Sequence, residues 1–243
     1  MKNRCPKGLR LAILSGGKGQ RLWPATEYIP KALVTLNGRP ILDHILDFYR
    51  KNGFSEAILC VGHKADTIQK HYSPPPPGMI IHYSNAGENA SILKRIWKLQ
   101  EFDAERYLVS YCDTLIDLEI DGLIEKHRQC NPQVTIVTAR IRNPFGIVTM
   151  GSEGRVDSFV EKPTFNYYIG CFILERSALQ FATSPMIQER DGQGLVDFFN
   201  LLASQGQLMA YDHTGLQITF NTESERQAAE SHLTKFYTYR EEK

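Results

Sequence analysis

Residues 9–33, "LRLAILSGGKGQRLWPATEYIPKAL", decide how the rest of the chain is read. The run "LRLAILS" (9–15) is apolar on both faces, the pattern of a strand buried inside a covered sheet, and glycines close it. Backbone amides left bare by glycine at the end of such a strand can cradle phosphate oxygens. Gly16, Gly17 and Gly19 suit that use, yet the segment lacks the third glycine of the dinucleotide-binding fingerprint. It also lacks the spacing and Gly-Lys-Ser/Thr ending of a P-loop. Arg21 closes the loop, and Lys31 follows directly after Pro30. Taken alone, the loop fits a phosphate cradle and an ordinary strand-end turn equally well, and each cation reads as a solvated surface charge.

Working outward, "GRPILDHILDFYRKNG" (38–53) places Ile41, Leu42, Ile45, Leu46, Phe48 and Tyr49 on one helical face, with Pro40 near the first turn and Gly53 as the stop. Then come a buried strand "EAILCVG" (56–62), a short helix "KADTIQKHY" (64–72) and the connector Pro74–Gly78. A third strand (79–84), a helix (90–100) and a fourth strand, "RYLVSYCDT" (106–114), which ends in a carboxylate, follow. Alternating strands and helices with short links predict right-handed crossovers. The expectation is an α/β, Rossmann-like three-layer fold with a mixed, mainly parallel sheet. Past residue 115 the pattern changes: a helix (120–131), a strand (133–141), and a stretch alternating around Gly151 and Gly154 (145–163) that predicts an antiparallel hairpin. A strand (166–174), a helix (194–206), strands at 207–213 and 216–220 and a helix from Glu223 complete the reading. No repeat or long linker divides the chain, so one domain over 1–243 is expected, with a core of about 9–222 and a C-terminal helix of about 223–238.

Bulk composition is that of an ordinary globular protein: 243 residues, 42% hydrophobic, 23% charged. A net charge of +1, from 28 Lys+Arg against 27 Asp+Glu, argues against a nucleic-acid or anionic-membrane coat. Any phosphate binding must be local. Cys5, Cys60, Cys112, Cys130 and Cys171 form no C-x-x-C pair, so neither zinc nor a disulfide framework is expected, and free thiols fit a reducing cytoplasm. The basic N-terminus carries an apolar run of only about five residues, too short for a signal peptide or a membrane span.

The whole arrangement is more specific than its parts. G-G-x-G-x-R-L-x-P-x-T, then Pro30-Lys31-Ala32-Leu33 and a helix opening "GRPIL", resembles the sugar-1-phosphate nucleotidylyltransferases. The likeness runs over roughly residues 9 to 222 and includes "FGIV" (145–148), "VEKP" (160–163), "YIGCFIL" (168–174) and Asp113. Residues 39–72 and "DGLIEKHRQ" (121–129) look most like the glucose-1-phosphate cytidylyltransferase branch.

The resemblance implies nucleotidyl transfer from a nucleoside triphosphate, CTP by the branch, to a sugar-1-phosphate in nucleotide-sugar and polysaccharide biosynthesis. The attacking phosphate is already an anion, so catalysis reduces to positioning two polyanions and offsetting their charge. Arg21 and Lys31 would hold the triphosphate, Lys162 the acceptor phosphate, and Asp113 would be a Mg²⁺ carboxylate. Ser15, Gly16, Gly17, Gly19, Asn85, Gly87 and Glu88 fall where the family binds nucleotide; the alternative for the loop before residue 92 is that Asn89 or Ser91 caps a helix. Gly146, Glu161, Lys162 and Gly170, with Tyr168 and Ile169, match sugar-pocket positions, and Tyr167 and Tyr168 would stack on a hexose unless they are core. Assembly into a homo-oligomer stays open.

Two departures stand out. Cys112 and Thr114 replace the small residues that usually flank the strand-end carboxylate. Asn221 stands where the family supplies a second metal carboxylate, giving an amide oxygen without a negative charge, with Asp212 as the alternative donor. Three readings follow: an active enzyme with an altered metal site, an active enzyme with a different nucleotide or phosphorylated acceptor, or a catalytically weakened nucleotide- or sugar-phosphate-binding partner subunit.

Overall fold

The computed structural model describes residues 8–190 and 192–241. The opening run forms β1 (Leu9–Leu14). Its apolar residues split between two cores: Leu9, Leu11 and Ile13 face one side of the sheet, Ala12 and Leu14 the other. This double burial explains why the strand reads as a continuous apolar run. The glycine loop leads through two 3₁₀ turns, Gln20–Leu22 and Lys31–Leu33, into the ribbon β2 (Thr35–Leu36) and β3 (Arg39–Pro40), then α1 (Ile41–Lys51). Beyond it lie β4 (Glu56–Val61), α2 (Ala65–His71) and β5 (Ile80–Asn85).

The helix expected over 90–100 is α-helical only as α3 (Ile92–Trp97), then tightens into a 3₁₀ turn (Lys98–Glu101). Ser91 caps it, its hydroxyl accepting from the Lys94 amide at 2.9 Å. The strand expected to run through residue 114 stops earlier, as β6 (Arg106–Tyr111), and β7 (Thr114–Ile116) follows, so Asp113 lies in the turn between them. Then come α4 (Ile120–Cys130), β8 (Val134–Arg142), the ribbon β9 (Ile147–Met150) and β10 (Val156–Val160), and the long β11 (Thr164–Glu175). A 3₁₀ turn (Arg176–Phe181) and α5 (Ser184–Gln188), absent from the sequence reading, precede α6 (Gln193–Ser204), β12 (Leu208–Asp212), β13 (Gln217–Thr219) and α7 (Glu223–Glu241).

Among the described residues a seven-stranded sheet runs in the order β12-β8-β11-β6-β1-β4-β5. β1 is parallel to β4 and β6, β4 to β5 and β8 to β12, whereas β11 is antiparallel to β6 and β8. The sheet is mixed and mainly parallel. Side chains of α1, α2, α4 and α7 fill the core on one face, and those of α3, α5 and α6 fill the core on the other, giving three layers. From β1 the chain moves outward through β4 and β5, then returns to β6 on the opposite side of β1. That reversal opens a crevice at the C-terminal ends of β1 and β6, where open α/β sheets place ligands.

Candidate active site

A cleft of about 830 Å³ occupies this crevice, floored by Leu14 at the end of β1 and Tyr111 at the end of β6. Three segments distant in sequence meet there through their side chains. Lys31, in its 3₁₀ turn, sends its Nζ 2.6 Å from Asp113 Oδ2 and 3.1 Å from Asn221 Oδ1. The Thr114 hydroxyl donates to the other Asp113 oxygen at 3.1 Å. Asp113 thus pairs with Lys31 through one oxygen and holds Thr114 through the other. The Lys31 and Asp113 side chains are only 12% and 21% exposed, so water screens the pair little. One ammonium and one carboxylate cancel, and neutral Asn221 leaves the trio without net charge.

Asn221 is held by the start of α7. The Glu225 carboxylate accepts from the Asn221 backbone N–H at 2.6 Å, while the Glu225 backbone N–H donates to the Thr222 hydroxyl at 3.2 Å, a variant of the capping box. Asp113 Oδ2 and Asn221 Oδ1 thus converge on the Lys31 ammonium; a carboxylate and an amide oxygen are also the donor types a hard divalent cation takes when phosphates and water supply its remaining ligands. Among the described residues no group of three or more His, Cys, Asp or Glu could hold a metal without such help. Asp212 is no substitute donor, since it pairs with Arg140 at 2.6 Å and does not line the cleft.

Gly16, Gly17, Gly19 and Arg21 form another wall. Gly19 has a φ of +62°, and a Cβ there would sit 3.0 Å from Lys31 Cβ and 3.1 Å from Thr26 Cγ2. The Thr26 hydroxyl bonds the Gly19 carbonyl at 2.9 Å, so the loop packs directly on the stem of Lys31. Arg21 is exposed. Ser15 faces away: its hydroxyl lies 3.5 Å from the carbonyls of Ile13 and Cys60, within the sheet. Cys112, beside Asp113, is a neutral thiol pushed up to about 12 by burial and by Asp113.

Across the cleft, Glu88 and Asn89 form the opposite lip. Glu88 accepts from His63 at 2.8 Å, a bond that lowers its pKa, and Lys18 reaches over to Asn89 Oδ1 at 3.0 Å. Asn85 and Gly87 shape this loop, with Asn85 Oδ1 accepting the Gly87 amide at 2.9 Å, but they do not line the cleft. Arg190, whose place next to α6 gave no signal in the sequence, adds a further cation to the wall.

The residues expected on the acceptor side do not join this group. Gly146, Glu161 and Lys162 flank the open end of the exposed β9–β10 ribbon, just before β9 and just after β10, where Lys162 Nζ is 3.5 Å from Glu161. Gly170 is closer: it sits in the β11 bulge, packed on the Tyr111 ring. Tyr168 is core, edge-on to Tyr111 and Phe199, while Tyr167 is partly exposed and accepts from Gln217.

Residues 11–215 match the nucleotidyl transferase family. The chain is 27% identical over 221 residues to the UTP–glucose-1-phosphate uridylyltransferase of Synechocystis, a match covering 82% of this chain and 56% of that protein. It is 26% identical over 234 residues to the glucose-1-phosphate cytidylyltransferase of Salmonella typhimurium, covering 85% and 89% respectively. The chain thus spans little more than half of the first relative and most of the second. Among solved structures, HddC from Yersinia pseudotuberculosis superposes with a TM-score of 0.73 at 21% identity, over 92% of this chain and 99% of that one, and shows the same fold.

Proposed function

The chain belongs to the nucleotidyl transferase family, and from that premise we propose that it joins CTP to a sugar-1-phosphate, releasing pyrophosphate and forming an NDP-sugar. A phosphate oxygen of the sugar-1-phosphate attacks the α-phosphorus in line. The bond between the α-phosphorus and its bridging oxygen breaks, and pyrophosphate carries away the electron pair. The nucleophile is an anion, so no proton need move at the attacking atom.

The observation that carries this reading is the convergence of Lys31 on Asp113 and Asn221 beside the glycine loop. When the triphosphate enters, Lys31 and the forked donors of Arg21 hold its departing phosphates, and Arg190 adds charge to the same cleft. Mg²⁺ shared by Asp113, Asn221 and the phosphates would supply the charge that offsets what builds up at the α-phosphorus. Glu88 and Asn89 face the base and ribose from the opposite lip, and Lys162 receives the acceptor phosphate from the ribbon. CTP is favoured because the relative named for it is matched over 89% of its length, against 56% for the relative named for UTP.

Pyrophosphate release tests the proposal, with CTP, UTP, dTTP, GTP and ATP each offered against a panel of sugar-1-phosphates and Mg²⁺. Release with CTP and glucose-1-phosphate above the other pairs is the expected result. Release with another nucleotide overturns the CTP assignment. Silence across the panel, with nucleotide still bound, supports the binding-subunit reading that neutral Asn221 favours.

A further inference from the structure

Arg95, on α3, is 4% exposed and yet borders the cleft. Its guanidinium donates to the carbonyl of Val61, the last residue of β4, at 2.8 Å, and to the carbonyl of Glu88 at 3.2 Å. It also lies flat against the backbone of Gly16 and of Gly62, where a methyl group at either position would collide with it. One side chain therefore touches three rim segments: the glycine loop after β1, the turn after β4 and the loop after β5. The backbone ties the first two together, with the His63 amide donating to the Gly16 carbonyl at 3.1 Å. Gly16 reads in the sequence as clearance for a nucleotide; in the fold its missing side chain is the space that Arg95 fills.

Among the described residues Arg95 forms no ion pair with a carboxylate; its hydrogen bonds go to two backbone carbonyls. Cys60 lies close enough to act on it, but that thiol, pushed up to about 12 by burial, stays neutral. Burial in turn lowers the guanidinium's own pKa. A buried cation facing only carbonyls and a thiol is costly, and an apolar side chain of similar size would be cheaper in a purely structural role. A guanidinium bonded to carbonyls and to no carboxylate is suited to an anion arriving in the cleft.

We infer that Arg95 is a positioning residue that clamps the glycine loop, the β4 turn and the Glu88 loop into one rim and holds a positive charge beneath the triphosphate. The clamp is a property of the fold; the anion rests on the proposed nucleotidyl transfer. Lysine keeps the charge but has no planar fork to span the Val61 and Glu88 carbonyls.

The test compares wild type with Arg95→Lys by amide hydrogen exchange and by calorimetric titration with CTP and Mg²⁺. Exchange should quicken together at residues 15–19, 61–63 and 87–90, and CTP should bind more weakly by up to about a hundredfold. Gly62→Ala, which keeps Arg95 but displaces its guanidinium, should give the same exchange footprint and serves if Arg95→Lys does not fold. Quickened exchange confined to residues 92–97, or none, overturns the clamp. A loosened rim with unchanged CTP affinity overturns its coupling to the nucleotide. If wild type binds no nucleotide, the proposed function fails, and the exchange footprint alone decides the clamp.

Discussion

The cleft and the β9–β10 ribbon both carry residues that the sequence assigns to catalysis, but they are built differently. In the cleft, Lys31, Asp113 and Asn221 come from three segments distant in sequence, and Lys31 bonds the other two at 2.6 and 3.1 Å, with the Asn221 backbone fixed in turn by the cap of α7. On the ribbon, every residue of β9 and β10 is exposed, including Met150 at 65% and Phe159 at 62%. A two-stranded ribbon exposed on both faces has little packing to hold Lys162 in place. The cleft is thus held by its own bonds before any ligand arrives, while Lys162, proposed above for the acceptor phosphate, sits beside a loosely supported strand pair.

That contrast can be broken or sharpened by substitution. Asp113→Asn should have the largest effect, because it removes the carboxylate that pairs with Lys31: pyrophosphate release should fall by roughly a hundred- to a thousandfold. Activity close to wild type would mean that the Lys31–Asp113 pair is only structural. Lys162→Ala should raise the KM for sugar-1-phosphate by about tenfold, a typical loss for one charge-assisted contact, and leave CTP affinity unchanged. A matching loss of CTP affinity would place Lys162 on the triphosphate instead. Asn221→Asp should lower the Mg²⁺ concentration needed for half-maximal activity by severalfold, since it adds a negative charge at the convergence point. An unchanged Mg²⁺ requirement would remove Asn221 from the metal's surroundings. The smallest effect belongs to the ribbon's apolar surface: Val148→Ser should change stability by less than about 1 kcal/mol in thermal or urea unfolding, because an exposed side chain has little burial to lose. A larger loss would show that the ribbon is covered in solution.

The sheet was legible because its signals are local. β1 is buried on both faces and reads as a continuous apolar run, α1 presents one apolar face, and the Gly151–Gly154 turn marks the hairpin. Boundaries were less legible where side chains compete with the backbone, as at Ser91, whose hydroxyl starts α3 later than the apolar pattern does. In the site, Lys31, Asp113 and Asn221 could be named from their motifs, but their mutual bonding depends on the tertiary approach of α7, which no local pattern encodes. At Ser15 the sequence could not tell which way the hydroxyl turns, since a strand-end serine looks alike whether it faces the cleft or, as here, the sheet. Arg95 escaped notice altogether: in "ILKRIW" it resembles one of two surface cations, and only the glycines packed on it, at 16 and 62, reveal where it goes.

The most direct test of the contrast is a calorimetric titration of CTP with Mg²⁺ into the protein without sugar phosphate, run on wild type and on Lys162→Ala. The account expects saturable binding of equal affinity in both proteins, because the triphosphate side is complete without the ribbon. Binding that appears only once sugar-1-phosphate is added, or that Lys162→Ala abolishes, would contradict it.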